Sequence, residues 1–141
     1  MGMYRRERIE QKISLNINGY VQEREDRTEN CGGGWLAYIS ENLEYKRKLD
    51  LESSNIETIW FEIKPCHKKS FLLCFVYRKP IASELVEWID KFESELNNAI
   101  LLNSDIVLTG NFNITFLPCK TSQKWLSILE TYNLNQIVPT Y

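Results

Sequence analysis

The chain is 141 residues long, one domain's worth of sequence and too short for two full domains. Hydrophobic residues make up 43% and charged residues 26%, the balance of an ordinary soluble globular chain. The net charge of −2 gives no global basic signal, so any nucleic-acid contact has to come from a local patch.

Residues 1–12 carry Arg5, Arg6, Arg8 and Lys12 against Glu7 and Glu10. They contain no apolar core of the length a signal peptide needs and read as a solvated, charged arm ahead of a folded portion, residues 13–141. The longest apolar run, Phe71–Tyr77, is far too short to cross a bilayer, so no membrane role is expected. Ile13, Leu15 and Ile17 alternate with polar residues and predict a strand ending near Asn18-Gly19. A charged segment, residues 23–29, then leads to Gly32-Gly33-Gly34 and a strand at residues 35–39. The triple glycine lacks the lysine and serine of a phosphate-binding loop and opens a strand, so it reads as a flexible entry.

Ile59, Phe61 and Ile63 alternate with Trp60 and Glu62, giving a third strand, and Phe71–Tyr77 makes a fourth. The short connection between them, holding Pro65 and Lys68-Lys69, predicts a hairpin that delivers Tyr77-Arg78-Lys79-Pro80 at its end. Leu85, Ile89, Phe92, Leu96 and Ile100 then recur at helical steps, with Glu, Asp and Lys on the other face and Ser83 as N-cap. This helix links the fourth strand to a fifth around Ile106-Val107-Leu108, a strand–helix–strand unit running from Tyr77 to Asn111. A second helix is predicted over residues 122–132, burying Trp125, Leu129 and Tyr132.

The four cysteines, Cys31, Cys66, Cys74 and Cys119, are widely spaced, and the only histidine, His67, lies beside Cys66 without further ligands nearby. They read as reduced thiols of an intracellular protein, nuclear or cytoplasmic, and no metal ligands are assigned.

The stretch with the most chemistry is Gly110-Asn111-Phe112-Asn113, just past the fifth strand. If the backbone stays extended through the glycine, the two asparagines project together and Phe112 faces the opposite layer. Strand C-termini are where α/β proteins commonly place ligand sites, although asparagine and glycine also make ordinary turns.

Gly110-Asn111-Phe112-Asn113 resembles the Gly-Asp-Phe-Asn motif of the endonuclease/exonuclease/phosphatase superfamily, with asparagine in place of aspartate. Gly19-Tyr20, Arg24-x-Asp26-Arg27, Gly32-Gly33-Gly34, Ile56-Glu57, Tyr77-Arg78-x-Pro80, Leu134-Asn135-Gln136 and Pro139-Thr140 stand around it in one line. In that order they resemble the endonuclease domain of LINE-type (non-LTR) retrotransposons. The resemblance implies an α/β fold, a partial four-layer α/β sandwich of the DNase I-like type with the site at one end. It also implies Mg2+-dependent hydrolysis of a DNA phosphodiester, with DNA as partner.

Carried over by position, Asn113 matches the motif's asparagine and Tyr77 the active-site tyrosine on the scissile phosphate. Asn111 stands where the catalytic aspartate belongs, and Arg78 and Arg27 are candidate substrate-binding residues. An amide cannot accept a proton from water, and loss of a positioned base costs about 10²–10⁴ in rate. Asp105, on the order of 20 Å away along an extended strand, cannot replace it. The family's metal-binding glutamate and late histidine have no counterpart here. The expectation is therefore a truncated copy without turnover. A non-catalytic DNA-binding or assembly module and a superfamily phosphatase are the alternatives. Uncovered sheet edges and apolar faces predict self-association.

Overall fold

The computed structural model describes residues 16–26, 34–52, 55–102, 104–114 and 120–137, and the chain divides into two units, residues 1–43 and 44–141. In the first, Ile17 to Tyr20 make a tight turn closed by the Tyr20 N–H on the Ile17 carbonyl at 3.1 Å. Gly19 turns the corner at φ +82°, a conformation that L side chains rarely adopt. The turn feeds β1 (Tyr20–Asp26), which pairs antiparallel with β2 (Gly34–Ser40), Tyr20 opposite Ser40 and Asp26 opposite Gly34.

β2 is the strand expected at residues 35–39. β1 is not where hydropathy put its partner. Residues 16 and 17 are outside any strand, and residues 13–15 lie outside the described residues. The charged segment beginning at Glu23 is itself in the ladder. Ladder bonds are made by the backbone, so a strand with no fully buried face leaves little trace in side-chain periodicity.

The second unit holds a sheet in the order β3 (Glu44–Arg47), β4 (Glu57–Lys64), β5 (Phe71–Tyr77), β6 (Asp105–Asn111). The predicted β4–β5 hairpin is present. β5 and β6 run parallel, joined through α1 (Leu85–Ile100) as the predicted strand–helix–strand unit. β3 was not legible in the sequence: it is a four-residue edge strand that turns only Tyr45 and Arg47 inward. Behind it Arg47 forks onto Glu52 at 3.0 and 2.8 Å, and Glu52 also accepts the Trp60 N–H at 3.2 Å, tying the end of β3 to β4.

One face of the sheet presents Trp60, Leu72, Cys74, Val76, Ile106 and Leu108 to α1 and to α2 (Lys120–Thr131). The opposite face is apolar as well. Ile59, Phe61 and Ile63 are buried outside that cluster, with Phe61 edge-on to Tyr45 at 5.8 Å and Phe75 at 6.3 Å. A sheet apolar on both faces needs cover on both. Among the described residues no helix is long and apolar enough to cross a membrane. Of the cysteines described, Cys66 is exposed and Cys74 buried, and both are free. Burial pushes the Cys74 thiol well above its ordinary pKa, helped by the charges of Glu95 and Glu52. Cys31 and Cys119 lie outside the described residues.

Two details of α1 differ from expectation. Ser83 is not its N-cap: it sits in a 3-10 turn, Ala82–Glu84, that runs directly into the helix. Glu84 already has φ −94° and ψ −4°, so no extended N-cap residue is left to cap it. The buried face also includes Glu95, placed by periodicity on the solvent side but only 3% exposed. Its carboxylate accepts the Thr58 hydroxyl at 2.6 Å and the Trp60 indole N–H at 2.9 Å, bonds that offset part of its desolvation.

α2 ends in a Schellman turn. Asn133 is left-handed at φ +51°, its N–H meets the Glu130 carbonyl at 3.1 Å, and the Leu134 N–H meets Leu129 at 2.8 Å. Just before it the Tyr132 hydroxyl donates to Asn97 Oδ1 at 2.6 Å, joining α2 to α1. Burial pushes the Tyr132 pKa up, and the charge and hydrogen bond of Glu93 add to this. The folded state therefore holds this proton more tightly than the unfolded chain. The stabilisation is complete below the unfolded tyrosine pKa of about 10 and is lost as pH rises through the higher folded value. Tyr132→Phe should cost about 1 kcal/mol at pH 8, the scale of one net hydrogen bond. The gap between the two proteins in urea melts should narrow above about pH 10. A gap that stays constant with pH would contradict this assignment.

Candidate functional site

β5 and β6 end on the same rung, because parallel pairing sets Tyr77 opposite Asn111. β4 runs the other way and begins on that rung, with Glu57 opposite Tyr77. One row, Glu57–Tyr77–Asn111, thus crosses three strands spaced about 4.8 Å apart, and register partners share a face. It is the face away from the helices, since Val76 and Thr58 on the preceding rung are turned to the buried helix side. Tyr77 is 41% exposed and Asn111 is exposed beside it.

Beyond this rung the chain turns at once. Asn111 Oδ1 accepts the Asn113 N–H at 3.0 Å, an Asx turn, and Asn113 takes φ +47°. Asn113 Nδ2 donates to the Arg78 carbonyl at 2.6 Å, and the Arg78 N–H donates to the Asn111 carbonyl at 2.9 Å. The Arg78 guanidinium, 5% exposed, donates from Nε to Phe112 O at 2.7 Å, from Nη1 to Ile81 O at 3.1 Å, and from Nη2 to Asn113 O. Burial pulls its pKa down and the charge of Glu84 pushes it back up. It stays a cation at neutral pH. Phe112 enters the helix layer, with its ring 5.3 Å from Trp125, 6.1 Å from Phe92 and 6.3 Å from Trp88.

The structure brings Tyr77, Asn111 and Asn113 to one end of the sheet. The extended run assumed for Gly110 to Asn113 stops at Asn111, so the two asparagines do not project side by side. They bond to each other and to the Arg78 backbone, while Phe112 does face the opposite layer. Arg78, a candidate substrate-binding residue, turns its guanidinium inward onto three carbonyls. Arg27 lies outside the described residues. Asp105 begins β6, at the far end of the strand from Asn111. His67 is in the β4–β5 turn, at the end of β5 opposite Tyr77. Sequence reasoning gave Glu57 no role, yet hairpin register places it on the rung. Pairing inferred outward from the Pro65 turn was the signal that could have found it.

Among the described residues, the rung offers few ligands to a divalent cation of the Mg2+ class. Such an ion is six-coordinate and usually keeps several waters, with one or two carboxylates beside the substrate's own phosphate. The rung supplies one carboxylate, one phenol and a carboxamide oxygen that already accepts an N–H. Among the described residues no three acidic, histidine or cysteine side chains gather into a metal cluster.

Two sheets and flanking helices give the chain a mixed α/β architecture, and the likeness that follows gives it the DNase I-like endonuclease fold. Its structure is similar to the endonuclease domain of TRAS1, a telomere-specific non-LTR retrotransposon, with a TM-score of 0.62 and 10% sequence identity. The match covers 82% of this chain and 53% of that domain, so the chain spans about half the length of the solved structure. At this identity the likeness is one of fold. No protein-family model matches the chain, and no curated protein matches it in sequence.

Proposed function

We propose that residues 13–141 form part of a retrotransposon-type endonuclease domain that contacts the backbone of duplex DNA and does not cut it. The observation that carries this reading is Asn111. It sits beside Tyr77 at the end of the parallel strands, where the resemblance puts a catalytic aspartate, and its side-chain oxygen is engaged by the Asn113 N–H. A carboxamide has no basic lone pair for a water proton, and loss of a positioned base alone costs about 10²–10⁴ in rate. A non-catalytic binding module is the form of this reading that the geometry favours, because Tyr77 and Asn111 are exposed while the turn beside them is tightly bonded.

The test joins two assays. The protein should retard duplex DNA in a gel, with an affinity that falls as salt rises, the signature of phosphate contacts. It should nick supercoiled plasmid in magnesium or manganese no faster than a Tyr77→Phe, Asn113→Ala double variant. Metal-dependent nicking above that background would overturn the inactive assignment. Hydrolysis of small phosphate esters without DNA retention would favour a phosphatase instead.

A further inference from the structure

We propose that Arg78 is the positioning residue of this site, a latch that sets the conformation of the Asn111–Asn113 turn without touching the ligand. Three carbonyls from two separate loops converge on its guanidinium: Ile81 O from the segment after β5, and Phe112 O and Asn113 O from the segment after β6. Both segments leave the sheet at the ends of the paired parallel strands, so the cation bridges the segments that follow Tyr77 and Asn111. Carbonyl dipoles pointing at one place repel one another unless a donor set lies between them. A planar guanidinium presents five donors in a fixed fork, whereas an ammonium presents three around one point at a different reach.

The turn it holds does not form by default. Asn113 is left-handed, which asparagine tolerates better than most residues but still at some cost. It is kept there by its main-chain bond to Asn111 and its side-chain bond to Arg78 O. Phe112, between the two asparagines, is fixed by aromatic packing against Trp88, Phe92 and Trp125. Rings therefore hold the turn by its side chain and Arg78 holds it by its carbonyls. Without the second hold, the Asn111 carboxamide has no fixed partner geometry. Arg78 acts through Asn111 and Asn113, and its consequence for DNA rests on the reading proposed above.

The test uses the intact chain and nuclear magnetic resonance. In the parent protein, the Arg78 Nε–H should be resolved and protected from solvent exchange, unlike the Nε–H of free arginine in the same buffer. In Arg78→Lys, protection of the Asn113 amide should fall roughly tenfold or more, the scale of one lost charge-assisted hydrogen bond. The Cys74 amide, in the middle of β5, should keep its protection. Lysine retains the charge, so failure of this conservative variant to rescue the turn separates fork geometry from charge. An Arg78 Nε–H that exchanges as fast as that of free arginine overturns the proposal, as does an Arg78→Lys protein with an unchanged Asn113 amide. If Arg78→Lys does not fold, the parent Nε–H measurement decides alone. DNA affinity should weaken in the lysine variant. A parent that does not bind DNA would remove the functional reading, while the exchange result still judges the latch.

Discussion

Gly110→Ala is expected to destabilise the chain by about 3 kcal/mol or more, one of the largest effects a single methyl group can have. Gly110 lies at φ +135°, where an L side chain is strained whatever the space around it. Here there is no space either. A Cβ would stand 2.0 Å from the Val76 carbonyl oxygen, 2.8 Å from its nitrogen and 2.9 Å from its carbonyl carbon. All three are backbone atoms of the neighbouring strand, so no rotamer change relieves the contact. β5 and β6 would have to spread at the rung before Tyr77 and Asn111, which also breaks the Arg78 N–H bond to the Asn111 carbonyl. With about 5–15 kcal/mol available to a domain, a large part of the margin would go. A urea melt of Gly110→Ala with a midpoint equal to the parent's would show that the strands do not approach this closely.

Phe92→Ala should cost about 3–5 kcal/mol, the range for a fully buried aromatic ring truncated to a methyl group. Phe92 has no solvent exposure and is the middle ring of the cluster under the site. It stacks on Trp88 at 5.0 Å with 12° between the planes, and lies 5.9 Å from Trp125 and 6.1 Å from Phe112. Its removal opens a cavity where α1, α2 and the site turn meet. Emission from Trp88 and Trp125 should therefore shift toward that of solvated indole before global unfolding. Phe92→Leu, which keeps most of the volume, should lose under about 2 kcal/mol. A loss below about 1 kcal/mol for the alanine variant would mean the three layers do not depend on this ring.

Sequence alone determined the elements whose cause is local. Alternation in Ile59 to Ile63, the apolar run of β5 and the short turn between them defined the hairpin, because each strand buries alternate residues. The helical stripe of α1 between two strand signals required a parallel crossover, and that rule brought Tyr77 and Asn111 to one end of the sheet. The Gly-Asn-Phe-Asn resemblance was legible for the same reason, being contiguous.

Only tertiary structure decided the rest, and in each case the cause lies far along the chain. β1 and β3 hold together through backbone ladders to β2 and β4, which hydropathy does not record. Glu95 is buried because Thr58 and Trp60, 37 and 35 residues away, satisfy its carboxylate. Glu57 enters the site row through strand register. Arg78 reads as a substrate-binding residue in one dimension, since an arginine at a strand end ordinarily meets solvent. It turns inward because the carbonyls of Phe112 and Asn113, 34 and 35 residues on, converge where its fork can reach them. Nothing in the residues around either segment announces that meeting.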